Sequence, residues 1–193
     1  MKVLLEIAGE DEVHKLFSFS CEKDFDIEHF LKEKAIEFEK TGKSRTYFIF
    51  DEEAEEFRIL AYYTIALSVL NIPEEFSNRQ IRNFDGLYSK ARGKRILHFP
   101  AILIGQLGKN DQYKAEIKGE EIMQFCLSTV MDGQNKLSGR IVMLECRNIP
   151  YLFSLYEKFG FRKIEKKYEP DELFQFVRIL REDEIINHSL SIA

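Results

Sequence analysis

The stretch Leu155-Tyr156-Glu157-Lys158-Phe159-Gly160-Phe161 decides how the fold of this chain is predicted. It is typical of a helix that ends and passes directly into a buried strand. Gly160 stands where a left-handed residue closes a helix, and Phe161 opens the next apolar run. Pro150 suits the first turn of the same helix, because the N–H that it lacks would have no partner there. We therefore predict a helix over residues 150–159 and a strand over residues 161–167.

Upstream of this helix, strands alternate with helical segments. Residues 99–107 and 141–146 are apolar runs, and residues 117–131 show helical spacing with four apolar side chains on one face, Ile122, Phe125, Cys126 and Val130. Two strands joined through a helix predict a parallel βαβ unit. Residues 108–116 form the turn before the helix, and residues 173–180 form a last strand.

The first forty residues predict one strand and one helix. Residues 2–8 are apolar enough for a strand. Residues 26–40 carry apolar side chains at helical spacing, with Asp26 placed to cap the start and Gly42 placed to end the segment.

Two extended runs follow this helix. Residues 45–50 and 58–70 are rich in β-branched and aromatic side chains, which favours two strands. The acidic residues 51–56 between them are expected to form a solvated hairpin turn.

Length and composition indicate one core-forming domain. A chain of 193 residues with 45% apolar residues can bury a sizeable core, and no repeat or low-complexity stretch interrupts it. We expect a single domain over residues 1–181 and a C-terminal tail over residues 182–193. The net charge of −5 gives no global attraction to nucleic acid or to an anionic membrane.

The cysteines and histidines do not form a recognisable metal or disulfide pattern. Three widely spaced cysteines, Cys21, Cys126 and Cys146, are expected to be reduced thiols in the core of a cytoplasmic protein. The histidines lack paired spacing, so no metal site is predicted. No apolar stretch reaches the ~20 residues that span a bilayer.

Residues 78–95 form the strongly basic segment of the chain. They contain one acid, Asp85, and six cations: Arg79, Arg82, Lys90, Arg92, Lys94 and Arg95. Two interpretations stay open. The segment is either a solvated loop or helix face, or a contact for a polyanion such as a nucleotide or an RNA backbone.

Two places carry candidate chemistry. Residues 114–119 precede the helix of the βαβ unit, where unpaired backbone N–H groups favour a phosphate. Tyr156 is the second candidate. It is either a core residue or a proton donor, because a phenol with a pKa of ~10 can protonate a leaving thiolate whose conjugate acid has a pKa of ~8.5.

Taken together, these two places resemble the GCN5-related N-acetyltransferases (GNAT), which transfer an acetyl group from acetyl-CoA to an amine. The family's late Leu-Tyr-Glu-Lys-x-Gly-Phe run is matched in full by residues 155–161. Its pyrophosphate motif, Gln/Arg-x-x-Gly-x-Gly/Ala, corresponds to Lys114-x-x-Ile117-x-Gly119. Ile117 replaces the first glycine of that motif, and its branched side chain is expected to crowd the diphosphate.

The resemblance implies an α/β (α+β) fold: a mixed, mostly antiparallel twisted sheet with a central splayed parallel strand pair, flanked by helices. It implies acetyl-CoA as the cofactor and Tyr156 as the general acid for the CoA thiolate. The strand at 102–107 would pair with the pantetheine arm, and a backbone N–H near its end would hold the oxyanion. The implied cofactor contacts are Gln106, Leu107, Gly108, Lys109, Lys114, Ala115, Glu116, Ile117, Lys118, Gly119 and Asn148.

Two roles stay open within this resemblance. Asn148 lies eight residues before Tyr156, whereas the family often carries an asparagine seven residues before its tyrosine. The general base for the attacking amine is either Glu145 or a chain of water molecules, and Glu145 also has a purely structural interpretation.

The chain further resembles the acetyltransferase toxins of bacterial toxin–antitoxin pairs. The matching residues are Phe19-Ser20-Cys21, Phe30-Leu31, Ser44-Arg45-Thr46-Tyr47 and Tyr62-Tyr63-Thr64-Ile65-Ala66. In such toxins the acceptor is the α-amino group of aminoacyl-tRNA, held by basic patches, which implies that role for the six cations of residues 78–95. The implied partners are acetyl-CoA, aminoacyl-tRNA and an antitoxin protein, with no membrane, and a homodimer is left open.

A different class of function is also compatible with the sequence. Ile117 replaces a motif glycine. The alternative interpretation is therefore a non-catalytic acyl-CoA-binding or protein-interaction module that has kept the GNAT fold.

Overall fold

The computed structural model describes residues 1–9, 18–51 and 58–185, together with Val13 and Ala54. The chain divides into two compact units. Unit 1 comprises residues 1–66 and 104–129, and unit 2 comprises residues 67–103 and 130–193. The expectation of one domain over residues 1–181 stays a prediction, and residues 186–193 of the expected tail lie outside the described residues.

Unit 1 begins with helix α1, Lys2–Ala8, so the predicted strand at residues 2–8 is wrong. Leu4 and Leu5 pack against the core of the unit, whereas Val3 and Ile7 are 64% and 79% exposed. Leu4 and Leu5 are adjacent and both pack inward, whereas Val3 and Ile7 lie four residues apart and both face solvent. This pattern has the period of a helix and not the two-residue period of a strand. The short apolar run did not by itself distinguish the two.

The predicted helix at residues 26–40 is confirmed with one irregularity. It consists of α2 (Phe25–His29), a π-helical turn (Phe30–Lys34) and α3 (Ala35–Thr41). Gly42 ends it at φ 72°, as predicted. The N-terminal cap is Asp24 and not Asp26, because the Asp24 carboxylate accepts a hydrogen bond from the Asp26 N–H at 3.1 Å.

The predicted pair of strands is also confirmed. Strand β1 (Arg45–Phe50) runs antiparallel to β2 (Ile59–Asn71), in a register from Arg45 opposite Ile65 to Phe50 opposite Ile59. The acidic turn at residues 51–56 lies outside the described residues except for Asp51 and Ala54. Strand β5 (His98–Lys109) follows as predicted, and the Asn110 N–H after it donates to the Leu60 carbonyl at 2.9 Å.

Unit 2 holds the C-terminal elements and the basic segment. Its elements are α4 (Asn78–Asp85), β3 (Lys90–Ala91), β4 (Lys94–Arg95), β6 (Ile141–Cys146), α6 (Pro150–Lys158), β7 (Arg162–Lys163) and β8 (Phe174–Ile179). Strand β7 is two residues long, so the strand predicted over residues 161–167 is mostly loop. Strands β6 and β8 are antiparallel, from Ile141 opposite Ile179 to Cys146 opposite Phe174.

Helix α5 (Gly119–Leu137) links β5 to β6. Ile122, Cys126 and Val130 are buried as predicted, but Phe125 is 53% exposed, so its predicted place on the buried face is wrong. Met123 is fully buried in its stead. At 100° per residue the buried face is centred between positions 122 and 123, and position 125 lies outside it.

The main sheet has the strand order β1-β2-β5-β6-β8-β7. It is mostly antiparallel, with β5 and β6 as a parallel pair joined through α5, which confirms the predicted mixed fold and its βαβ unit. The splay between β5 and β6 stays a prediction. Among the described residues, no helix combines the length and the apolar character that a bilayer crossing requires.

Candidate functional site

The turn between β5 and α5 lies in unit 1 and is stabilised by hydrogen bonds between its own residues. The Lys109 ammonium donates to the carbonyl oxygens of Lys114, at 3.0 Å, and of Ile117, at 3.3 Å. A 3₁₀ turn, Asp111–Tyr113, connects them, and Lys114, Ala115 and Glu116 are exposed. The structure therefore brings Lys109 and residues 114–117 together, and the Lys109 ammonium stabilises this turn. The cofactor contacts expected of these residues stay a prediction.

The N-terminus of α5 already carries an anion from its own chain. The Glu121 carboxylate accepts a hydrogen bond from the Lys118 N–H at 2.8 Å. Unpaired N–H groups and the helix dipole favour a negative charge at this position, where a diphosphate is expected. Glu121 occupies one of these donors, so a diphosphate bound at the Lys118 N–H would compete with its carboxylate. Sequence reasoning missed Glu121, although a Glu three residues into a helix is a capping signal.

Ile117 is 5% exposed, so its side chain packs into protein and is not presented to solvent. Its φ is negative, because Arg92 and Ser138 are the non-glycine residues with positive φ in the described chain. The position therefore does not require the conformational freedom of glycine. The expected crowding of a diphosphate by Ile117 stays a prediction, and the burial of the side chain argues against it.

The end of β5 is packed closely against helix α2. A Cβ atom added at Gly108 would lie 2.3 Å from Cγ2 of Ile27 and 3.2 Å from Cε1 of Tyr62. The hydroxyl of Thr64 accepts the Gln106 N–H at 2.9 Å, so this N–H is not free for a pantetheine arm. Gly108 is buried and Leu107 is half-buried. The oxyanion donor expected near Leu107 or Lys109 stays a prediction.

Tyr156 lies in unit 2, near the end of α6, where residues 155–161 form the predicted helix end. Gly160 has φ 78°, and the Tyr156 carbonyl accepts from the N–H groups of Phe159, at 3.0 Å, and Phe161, at 3.1 Å. The Tyr156 side chain is 6% exposed, and its ring meets Phe161 and Phe176 edge-on, at 6.3 and 5.5 Å between centroids. The ring thus serves the core whether or not the hydroxyl acts as an acid.

Two further candidates for the reaction are exposed in unit 2. Asn148 lies in the loop between β6 and α6. The Glu145 carboxylate accepts from the Gln175 side chain at 2.8 Å, between paired strands, which favours its structural interpretation.

The six cations of the basic segment are all exposed. Arg79 and Arg82 lie on α4, which a capping box between Ser77 and Gln80 starts. The remaining four, Lys90, Arg92, Lys94 and Arg95, lie on the β3–β4 hairpin. The Arg95 guanidinium donates to the carbonyls of Glu74, at 2.6 Å, and Phe76, so it anchors the hairpin to the start of α4.

Cysteine and metal chemistry receive no support from the described residues. All three cysteines are buried and unpaired, and burial raises the pKa of Cys126 to about 12 and that of Cys146 to about 11. Such thiols are poor nucleophiles at neutral pH. In the described ranges, no group of three or more His, Cys, Asp or Glu residues is placed to hold a metal ion.

The fold is one that solved bacterial toxins share. The toxin KacT, solved as a tyrosine-to-phenylalanine mutant, matches with a TM-score of 0.62 at 16% identity over 90% of this chain and 89% of that one. The toxin AtaT in complex with acetyl-methionyl-tRNAfMet matches with a TM-score of 0.61 at 16% identity over 82% of this chain and 85% of that one.

A second AtaT structure, a mutant toxin bound to the C-terminus of the antitoxin AtaR and to acetyl-CoA, matches with a TM-score of 0.58 at 14% identity. It covers 92% of this chain and 90% of that one. No protein-family model and no curated protein matches the sequence. The resemblance to GNAT-fold acetyltransferase toxins is thus confirmed for the fold.

Proposed function

We propose that this chain is a cytoplasmic, acetyl-CoA-dependent N-acetyltransferase in which Tyr156 is the general acid. The observation that carries the proposal is the intact motif of residues 155–161, which forms the helix end with Tyr156 inside the fold of toxins such as AtaT and KacT. AtaT has been solved with acetyl-CoA, which supports the same cofactor here.

The proposed reaction is a direct transfer. A neutral amine attacks the thioester carbonyl, the oxyanion is held by a backbone N–H near Leu107 or Lys109, and the carbon–sulfur bond then breaks. Tyr156 gives its phenolic proton to the departing CoA thiolate, and the amine loses a proton to solvent or to a base. Direct transfer needs no protein nucleophile, which agrees with the buried, weakly acidic thiols of Cys126 and Cys146.

For the acceptor we propose the α-amino group of an aminoacyl-tRNA, with an antitoxin protein as the neutralising partner. Support comes from the AtaT complexes with acetyl-methionyl-tRNAfMet and with the antitoxin AtaR. The exposed cations on α4 and the β3–β4 hairpin are the proposed contact for the RNA backbone. A homodimer stays a prediction.

The second candidate function is a non-catalytic acyl-CoA-binding or interaction module with the same fold. The Glu121 carboxylate on the Lys118 N–H favours it, because this carboxylate competes with a diphosphate at the N-terminus of α5. Calorimetry with acetyl-CoA, combined with an assay of acetyl transfer, separates the two functions. An enzyme binds the cofactor and turns it over, a binding module binds it without turnover, and an interaction module shows no binding even near millimolar cofactor.

The substitution Tyr156→Phe tests the proposed acid, because it removes the hydroxyl and keeps the ring against Phe161 and Phe176. The expected result is unchanged acetyl-CoA affinity with turnover lower by ~10²-fold or more, the scale of positioned acid catalysis. Tyr151→Phe, on the same helix with its side chain 63% exposed, is the matched control and should behave as wild type. Unchanged turnover in Tyr156→Phe would remove this residue from the mechanism.

A further inference from the structure

A side-chain hydroxyl of strand β2 accepts a backbone donor of strand β5 within unit 1. Thr64 lies on β2 and is 2% exposed. Its hydroxyl oxygen accepts a hydrogen bond from the Gln106 N–H at 2.9 Å. In a regular sheet, carbonyl oxygens of the neighbouring strand accept the N–H groups of a strand. The Thr64 side chain therefore takes part in fixing the backbone of β5 at Gln106.

The sequence of β5 makes such an anchor important at this point. Gly105 and Gly108 flank Gln106 and Leu107, and glycine restricts the backbone less than any other residue. Gly105 also lets the hydroxyl approach, because a Cβ atom added there would lie 3.0 Å from the Thr64 hydroxyl oxygen. The threonine of β2 and the glycine of β5 thus fit each other sterically.

Two donors show which way the backbone of β5 faces. The N–H groups of Gln106 and of Asn110, just after the strand, both donate to acceptors on β2 at 2.9 Å. N–H groups alternate in direction along a strand, so those of Leu107 and Lys109 point away from β2. The proposed oxyanion donor is one of these two groups. Leu107 directly follows Gln106, so the anchor at Gln106 orients the peptide unit that carries the Leu107 N–H.

We propose that Thr64 is a positioning residue for the acetyl transfer. Its hydroxyl holds the Gln106 N–H and thereby keeps the Leu107 N–H in the orientation that stabilises the oxyanion. The oxyanion forms in the transition state and not in the bound cofactor, so loss of the hydroxyl lowers kcat more than it raises the KM for acetyl-CoA. This catalytic part rests on the proposed function, whereas the anchoring of β5 does not.

Strand β1 offers a matched control residue. Thr46 lies directly opposite Thr64 in the register of β1 and β2 and is 3% exposed. Its hydroxyl has no hydrogen-bond partner among the described residues. The two buried threonines of unit 1 therefore differ in whether the hydroxyl is bonded to the backbone of β5.

The kinetic test replaces each threonine by valine, which has a similar shape and lacks the hydroxyl. Thr64→Val should lower the kcat of acetyl transfer from acetyl-CoA to aminoacyl-tRNA by ~10-fold or more, because a displaced donor loses much of its effect on the transition state. The KM for acetyl-CoA should change by less than ~3-fold. Thr64→Ser keeps the hydroxyl and should restore most of the kcat, and Thr46→Val should behave as wild type.

Amide hydrogen exchange measured by NMR tests the anchoring without catalysis. In the wild-type protein the Gln106 amide should be protected, because a hydrogen-bonded amide exchanges only after it opens. Thr64→Val should accelerate this exchange by ~10-fold or more, and Thr46→Val should leave it unchanged. Circular dichroism establishes that each variant is folded, and the wild-type measurement tests the anchor even where Thr64→Val is not.

Four results would overturn the inference: an unprotected Gln106 amide in the wild type, equal exchange in Thr64→Val and wild type, an unchanged kcat in Thr64→Val, or an equal loss of kcat in Thr46→Val. A higher KM with an unchanged kcat would also count against it. Wild-type protein that transfers no acetyl group would instead contradict the proposed function. The two failures are distinguishable, because the exchange of the Gln106 amide does not depend on acetyl transfer.

Discussion

Replacing Ile117 by glycine restores the glycine pattern of the pyrophosphate motif. From the structure we expect this substitution to lower the free energy of unfolding. The Ile117 side chain is 5% exposed and belongs to the buried apolar residues of unit 1. Its φ is negative, so glycine relieves no backbone strain. The substitution therefore removes buried apolar volume and is not expected to raise the affinity for acetyl-CoA.

The magnitude follows from these two observations. Truncating a buried isoleucine to alanine costs ~2–5 kcal/mol, and glycine adds ~0.5–1 kcal/mol through its larger loss of chain entropy. We expect a decrease of ~3–5 kcal/mol in the free energy of unfolding, a large part of the ~5–15 kcal/mol that holds a domain folded. Ile117→Val is the matched control, and it should cost ~0.5–1.5 kcal/mol.

Urea unfolding followed by circular dichroism measures the loss, and calorimetry with acetyl-CoA measures affinity at a temperature where the variants are folded. We expect no gain in affinity for Ile117→Gly. A variant that binds acetyl-CoA more tightly and loses little stability would contradict this prediction, because Ile117 would then lie in the diphosphate site and not in the core.

Two further predictions concern the same end of unit 1. Gly108→Ala should destabilise by at least ~1–3 kcal/mol in urea unfolding, because its Cβ would lie 2.3 Å from Ile27 Cγ2. Gly133→Ala, in α5, is the control, because a Cβ atom added there would have open space around it. It should raise the free energy of unfolding by ~1 kcal/mol. Equal effects of the two substitutions would contradict the close packing at Gly108. Glu121→Gln keeps a hydrogen-bond acceptor for the Lys118 N–H and removes the charge that competes with a diphosphate, so acetyl-CoA should bind more tightly in calorimetry. Glu120→Gln, in the same helical turn, is the control and should have the smaller effect, and the reverse order would exclude this role for Glu121.

Long periodic or strongly β-forming segments of the fold could be predicted from the sequence. The strands at residues 45–50 and 141–146 and the helix from Pro150 have the predicted bounds or nearly so. The run at residues 2–8 was wrongly predicted as a strand, because seven apolar-rich residues fit either period and only packing against the core of unit 1 decides. Phe125 shows the same limit, since helical spacing places a side chain on a face but does not say which face is buried.

The candidate site was predictable where a local motif specifies it. The helix end at Gly160 and the turn before α5 follow from residues close in sequence. The contacts of Thr64 with Gln106 and of Ile27 with Gly108 join residues far apart in the chain, so no local pattern indicates them. The carboxylate of Glu121 fits a capping signal in the sequence, but only the structure shows its hydrogen bond to the Lys118 N–H.

Acetyl transfer to an aminoacyl-tRNA can be measured by incubating the purified chain with acetyl-labelled acetyl-CoA and total aminoacyl-tRNA. We expect label on the α-amino group of the esterified amino acid, release of one free CoA thiol for each acetyl group transferred, and loss of both in Tyr156→Phe. Charged tRNA that stays unlabelled, with wild-type protein that binds acetyl-CoA, would contradict it.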